Sequence, residues 1–131
     1  MSSQSDQETV LEVNQAFYEA FSQRDIKKMN LVWWQGTTSL CIHPGSEVLI
    51  GWETIQASWE SIFRNTNSLE ISIEPIKVEL DRAIAHVIVR ETVLQSSRGQ
   101  KLKAQSLATN IFQKMAQKWY LIHHHGSPIM R

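Results

Sequence analysis

One cysteine, three prolines and five glycines are all that 131 residues contain of these types. A single thiol, Cys41, excludes an internal disulfide and suits a reducing compartment. No linker, repeat or low-complexity tract interrupts the chain. Charge of one sign is also missing, because 13 basic side chains face 13 acidic ones. Such a chain has no broad electrostatic grip on a phosphate backbone, so nucleic acid is not an expected partner. Apolar runs stay far below the roughly 20 residues that span a bilayer. The polar start, Met1 to Gln7, lacks the hydrophobic stretch of a secretory leader. A cytoplasmic protein with no membrane partner is therefore the expectation. No Ser-His-Asp order, phosphate loop or dinucleotide fingerprint is present. The length fits one domain, 1–131, large enough for a real core.

What is there reads as helices first. Ser5-Asp6-Gln7-Glu8 has the form of a capping box, in which Ser5 accepts from a free amide and Glu8 reaches back. Val10, Val13, Phe17 and Phe21 then recur at helical spacing, with Leu11, Asn14 and Tyr18 widening the stripe, which predicts a helix over about 6–23. Asp25 caps a shorter helix carrying Ile26, Met29, Val32 and Trp33. A third helix, over about 52–64, sets Trp52, Ile55, Trp59, Ile62 and Phe63 on one face. Two short extended runs, 39–43 and 47–50, precede it around the turn at Pro44-Gly45.

From residue 68 onward the pattern is strand after strand. Leu69, Ile71 and Ile73 alternate, Pro75 interrupts, and Ile76, Val78 and Leu80 resume on the other parity, which predicts a bulge or bend. Turns at Asp81-Arg82, Ser97-Arg98-Gly99 and Ala116-Gln117 separate three further strands. Helices followed by a long antiparallel meander make an α+β fold, not a doubly wound one.

Alternation assigns faces. Ala85, Val87, Val89, Glu91 and Val93 share one side with Ala104, Ser106, Ala108, Asn110 and Phe112. Simple parity adds Trp119, Leu121, His123 and His125 to that side and sends Tyr120, Ile122 and His124 to the other. Small residues on the first side leave room for helices or a cavity. The second carries Ile88, Ile111, Tyr120 and Ile122 fringed by Arg90 and Gln113, which fits a homodimer through the outer sheet face.

Together these stretches resemble the nuclear transport factor 2-like superfamily, in its SnoaL-like (polyketide cyclase, ketosteroid isomerase-like) branch. The likeness spans nearly the whole chain. It rests on Phe21-Ser22-Gln23-Arg24-Asp25, Cys41-Ile42-His43-Pro44-Gly45, Gly51-Trp52 with Ser58-Trp59 and Ile62-Phe63, and Ala108-Thr109-Asn110-Ile111-Phe112. The ending from Trp119 through His123-His124-His125 to Gly126-Ser127-Pro128 completes it. The resemblance implies a cone-shaped roll, three helices packed in a strongly curved, mainly antiparallel sheet enclosing a pocket, commonly as a dimer. It covers isomerases, cyclases, dehydratases, epoxide hydrolases and non-catalytic assembly modules, so fold does not deliver function.

The candidate chemistry lies on the concave side. Glu91 is the one carboxylate that parity sets there in mid-strand, where desolvation raises its pKa toward general acid–base use; the plainer alternative is a pair with a buried histidine. His123 and His125, two residues apart, can reach the same space and move protons. With Glu91 they would form a metal site, but no further acid or cysteine of the right parity supports one, so no metal and no cofactor are expected. His43, Asn110 and the rings of Trp34, Trp59 and Trp119 are candidate ligand contacts, with core packing or backbone satisfaction as the alternative. Ketosteroid-isomerising and ring-closing members of the family use an aspartate base. Here Asp6, Asp25 and Asp81 read as a helix start, a cap and a turn, and the phenols are Tyr18 and Tyr120 alone. The expectation is a pocket for a small apolar ligand, with isomerisation, cyclisation or dehydration of a carbonyl compound by proton transfer. The alternative is a non-catalytic binding or assembly module.

Overall fold

A computed structural model describes residues 5–130. Helix α1 (Asp6–Gln23) opens with the capping box in place: the Glu8 amide donates to Ser5 Oγ at 3.1 Å and the Ser5 amide to Glu8 Oε1 at 3.0 Å. It stops at Arg24, whose left-handed backbone (φ 52°) turns its N–H back onto the carbonyls of Ala20 and Phe21. Asp25 then caps α2 (Ile26–Val32) by accepting from the Lys28 amide at 3.1 Å. The short strands β1 (Leu40–Ile42) and β2 (Val48–Ile50) lead to α3 (Trp52–Arg64). The meander follows as β3 (Ser68–Asp81), β4 (Ile84–Ser97), β5 (Gln100–Met115) and β6 (Lys118–Pro128).

The strands form one open sheet in the order β2-β1-β6-β5-β4-β3, antiparallel throughout except where β1 lies parallel to β6. The core joins Val10, Phe17, Met29, Trp33, Ile55 and Trp59 of the helical side to Val87, Val89, Ala108, Phe112 and Leu121 of the sheet. Each of the larger of these side chains contributes about 1.5–3 kcal/mol by leaving water. The architecture is the α+β arrangement that the element order implies. No helix among the described residues is long and apolar enough to cross a membrane.

Two strands carry an extra residue. On β3 the pairing passes from Pro75↔Val89 to Lys77↔Ile88, leaving Ile76 as the bulge that the parity switch predicts. On β6 it passes from Leu121↔Phe112 to His123↔Ile111, leaving Ile122 extra. The second bulge corrects the facing expected for the histidines. Trp119 and Leu121 point inward, but past Ile122 the inward residues are His124 and Gly126, both buried. His123 and His125 lie on the other face, half-buried and exposed respectively. Parallel pairing of Cys41 with His124 brings the buried thiol to the same side.

Candidate functional site

The inner stripe of α1 is apolar except at two positions one turn apart, Asn14 and Tyr18, and both are buried. A buried polar side chain costs free energy unless it is hydrogen-bonded, and the sheet supplies the partners. Glu91 comes from β4, Asn110 from β5 and His124 from β6, all inward and all buried. Asn110 Nδ2 donates to Asn14 Oδ1 at 2.9 Å and to Tyr18 Oη at 3.1 Å. With its amide nitrogen so used, Asn110 presents Oδ1 to His124 Nδ1 at 2.5 Å, so His124 must carry its proton on Nδ1. Tyr18 in turn donates to Glu91 Oε2 at 2.5 Å. Donation therefore runs one way, His124 to Asn110 to Tyr18 to Glu91, and ends on a carboxylate.

Burial sets the charges along this chain. It raises the Glu91 pKa above the usual carboxylate range, with the Tyr18 hydrogen bond pulling the other way. The Tyr18 phenol rises well above its ordinary value through burial first and the Glu91 charge second, so it remains a donor. His124 is pushed down to about 3 by burial, then by the neighbouring His43, His123 and His125, and stays neutral. Burial thus favours the uncharged form of Glu91, Tyr18 and His124 alike.

A second group sits beside the first. His43 follows β1, held extended before Pro44. Its Nε2 lies 2.7 Å from Ser58 Oγ and 3.8 Å from the Cys41 sulfur, and its ring meets Trp59 edge-on at 4.8 Å. Burial lowers the His43 pKa. Burial, then the Glu91 charge, raises the Cys41 thiol to about 12, so it is no nucleophile. Trp59 separates the groups, with Phe17 at 5.6 Å, Phe21 at 4.7 Å and His124 at 6.4 Å between ring centres. Its indole N–H is buried with no acceptor among the described residues.

Glu91 and Asn110 thus belong to one cluster, and His43 and Trp59 border it. Trp34 stands elsewhere, 38% exposed and packed on Tyr120 at 5.5 Å. Trp119 is buried but donates its indole N–H to Asp6 Oδ1 at 3.2 Å, at the start of α1. His123 and His125 meet each other outside, 6.4 Å between rings. Asn14, Tyr18 and His124 are the residues that parity and motif reading left out of the site. Two polar groups one helical turn apart on an apolar stripe were the available signal for the first two. Among the described residues no group of three or more His, Cys, Asp or Glu side chains is placed to hold a metal ion.

The sequence profile of the SnoaL-like domain matches residues 10–131. Solved structures superpose over nearly the full length. A candidate dehydratase of the NTF2-like family from Streptomyces avermitilis is 28% identical, with a TM-score of 0.90 over 96% of this chain and 97% of that one. A candidate calcium/calmodulin-dependent protein kinase type II association domain from Thiobacillus denitrificans is 27% identical, with a TM-score of 0.84 over 93% and 96%. A ketosteroid isomerase-like protein from Erwinia carotovora atroseptica, 16% identical, shares the fold with a TM-score of 0.86 over 97% and 98%. Among curated sequences, the F-box protein SKIP8 of Arabidopsis thaliana is 22% identical over 121 residues, 92% of this chain and 50% of that protein. The chain spans about half the length of that relative.

Proposed function

The chain belongs to the SnoaL-like domain family, and we propose that its interior moves a proton on a small apolar carbonyl compound, without a cofactor, as an isomerase, cyclase or dehydratase does. The observation that carries this reading is the one-way donor chain ending on the buried Glu91. Glu91 is the acid–base group, its pKa raised by burial toward the pH at which it works. Tyr18 is the donor to the substrate oxygen: a carbonyl beside its hydroxyl takes the hydrogen bond now given to Glu91 and frees the carboxylate for the α-proton. Asn110 and His124 hold Tyr18 in that role, and the unpaired indole N–H of Trp59 offers a further donor. The test is deuterium uptake at the α-carbon of 2-tetralone and cyclohexanone in D₂O, followed by NMR. The protein should accelerate exchange over buffer, and Glu91→Gln should remove about 100-fold or more of that acceleration. Exchange at the buffer rate with both ketones removes the reading.

A second reading, a homodimeric assembly module, is favoured by the outer sheet face. Ile88, Leu107, Ile111 and Tyr120 lie there, and Leu107 is 41% exposed. The likeness to an association domain agrees with it. Native mass spectrometry should find a dimer that Leu107→Asp dissociates; a monomer of the unaltered protein removes this reading.

A further inference from the structure

The concave side of the sheet continues past Glu91. Beyond the Glu91–Ser106 pair, the inward positions run through Val93–Ala104 and Gln95–Leu102 to the tip of the β4–β5 hairpin. Helical cover ends on the way: Ser106 is buried, Ala104 is exposed, and Leu102 is 55% exposed. At the far end a cleft of about 700 Å³ lies between the last turn of α3 and the hairpin, with Arg64, Arg98, Asn67, Gln95, Gln100 and Leu102 among its walls.

Its rim is tied together. The Asn67 amide donates to the Ser96 carbonyl at 2.9 Å, and Asn67 Oδ1 accepts from the Arg98 amide at 3.2 Å. Arg24 holds the neighbouring Thr66 carbonyl at 2.6 Å. Among the described residues no carboxylate lines the cleft. The ion pairs among the described residues engage Lys77, Arg90 and Lys114, so neither Arg64 nor Arg98 has an anionic partner, although Glu60 lies one helical turn before Arg64. A cation in the last turn of a helix gains a little from the helix dipole, which accounts for Arg64 in part. It does not account for Arg98, set at the hairpin turn with a left-handed backbone (φ 52°).

We infer that this cleft binds the anionic head, carboxylate or phosphate, of a small amphiphilic ligand whose apolar body lies along Leu102, Ala104 and Val93 toward Glu91. A guanidinium grips either head through two parallel N–H bonds, and the side-chain amides supply further donors. Gln95 lies four residue steps along the strand from Glu91, about 13 Å, so a body of roughly eight to ten carbons bridges the two. That the body ends at Glu91 rests on the proton-transfer reading; the grip on the anion does not.

The probes are octanoate, octyl phosphate and 1-octanol, titrated into the whole chain and followed by calorimetry. At least one of the two anions should bind saturably, with 1-octanol weaker by about 10-fold or more. The tighter anion identifies the head group. The double variant Arg64→Gln/Arg98→Gln, altered only at exposed side chains, should weaken the anion by about 10-fold or more, whereas Arg90→Gln on the outer face should not. The inference is overturned if neither anion saturates, if 1-octanol binds as tightly, if the double variant binds like the unaltered chain, or if Arg90→Gln weakens binding equally. No turnover is measured, so failure here is distinct from failure of the α-exchange experiment.

Discussion

Strands β3 and β6 each accommodate one residue too many, Ile76 and Ile122, and the consequences differ with position in the sheet. β3 is an edge strand, paired among the described residues with β4 alone. Its bulge leaves Ile76 49% exposed and keeps Val78 and Leu80 leaning on the core. β6 lies inside the sheet, with β5 on one side and β1 on the other. Its bulge decides which of three consecutive histidines enters the polar cluster and which two stay outside. An irregularity at an edge adjusts a few apolar contacts; the same irregularity in mid-sheet selects which side chain joins the buried polar cluster.

The sharpest way to break that contrast is to remove the histidines one at a time. His124→Ala leaves a cavity beside Phe17 and an unpaired buried oxygen on Asn110, and should cost about 3 kcal/mol or more in urea unfolding. His123→Ala and His125→Ala, on the opposite face, should each cost less than about 0.5–1 kcal/mol. A large loss at His123 would mean that β6 runs without its bulge. Acid sharpens the test. His124 has a native value of about 3 against an ordinary 6.5. As pH falls through that window the unfolded chain takes up a proton that the native state refuses. Stability should therefore fall by up to about 1.4 kcal/mol per pH unit. His43 and His123, lowered less, act with the same sign. Glu91, raised, acts oppositely: its stabilisation is present at low pH and is lost as pH rises through its native value. In His124→Ala the acid slope of the urea midpoint should flatten, and in His125→Ala it should persist.

Much of this molecule is readable without coordinates. The capping box at Ser5, the cap at Asp25 and the three amphipathic stripes place the helices within a residue or two. Alternation orients β4 and β5 and so puts Glu91 and Asn110 inside. The β3 bulge is announced by Pro75 and by the switch of apolar parity around it. Nothing comparable marks Ile122. From Trp119 to His125 every side chain is apolar, aromatic or histidine, so hydrophobic parity carries no phase there. The phase does exist further on. Gly126 faces a crowded place, where an added Cβ would stand 2.8 Å from Pro44 Cγ. A glycine required by close approach is an inward residue, and counting back from it turns His124 inward. Counting forward from Trp119 turns His123 inward instead, and the disagreement locates a bulge between them.

The finest test deletes the extra residue itself, because removing a bulge residue is not the same as shifting a strand. Without Ile122, the pairs Leu121↔Phe112 and His123↔Ile111 become consecutive, and every later residue keeps its partner and its face. Deletion of Ile122 should therefore preserve the His124–Asn110 contact and cost about 1–2 kcal/mol, for a half-buried side chain and a local twist. Deletion of Ile76 should cost under about 1 kcal/mol, because an edge strand has one partner to satisfy. The reading comes from the imidazole resonances. In both deletions His124 should stay neutral as pH is lowered below 6.5, its ring still under Phe17 at a 5.0 Å separation in the intact chain. If His124 instead titrates like a solvent-exposed histidine in the intact chain and stops doing so when Ile122 is deleted, the residue is not extra. In that case β6 is a regular strand with His123 inward that the deletion has flipped, and the polar cluster has to be built around a different histidine.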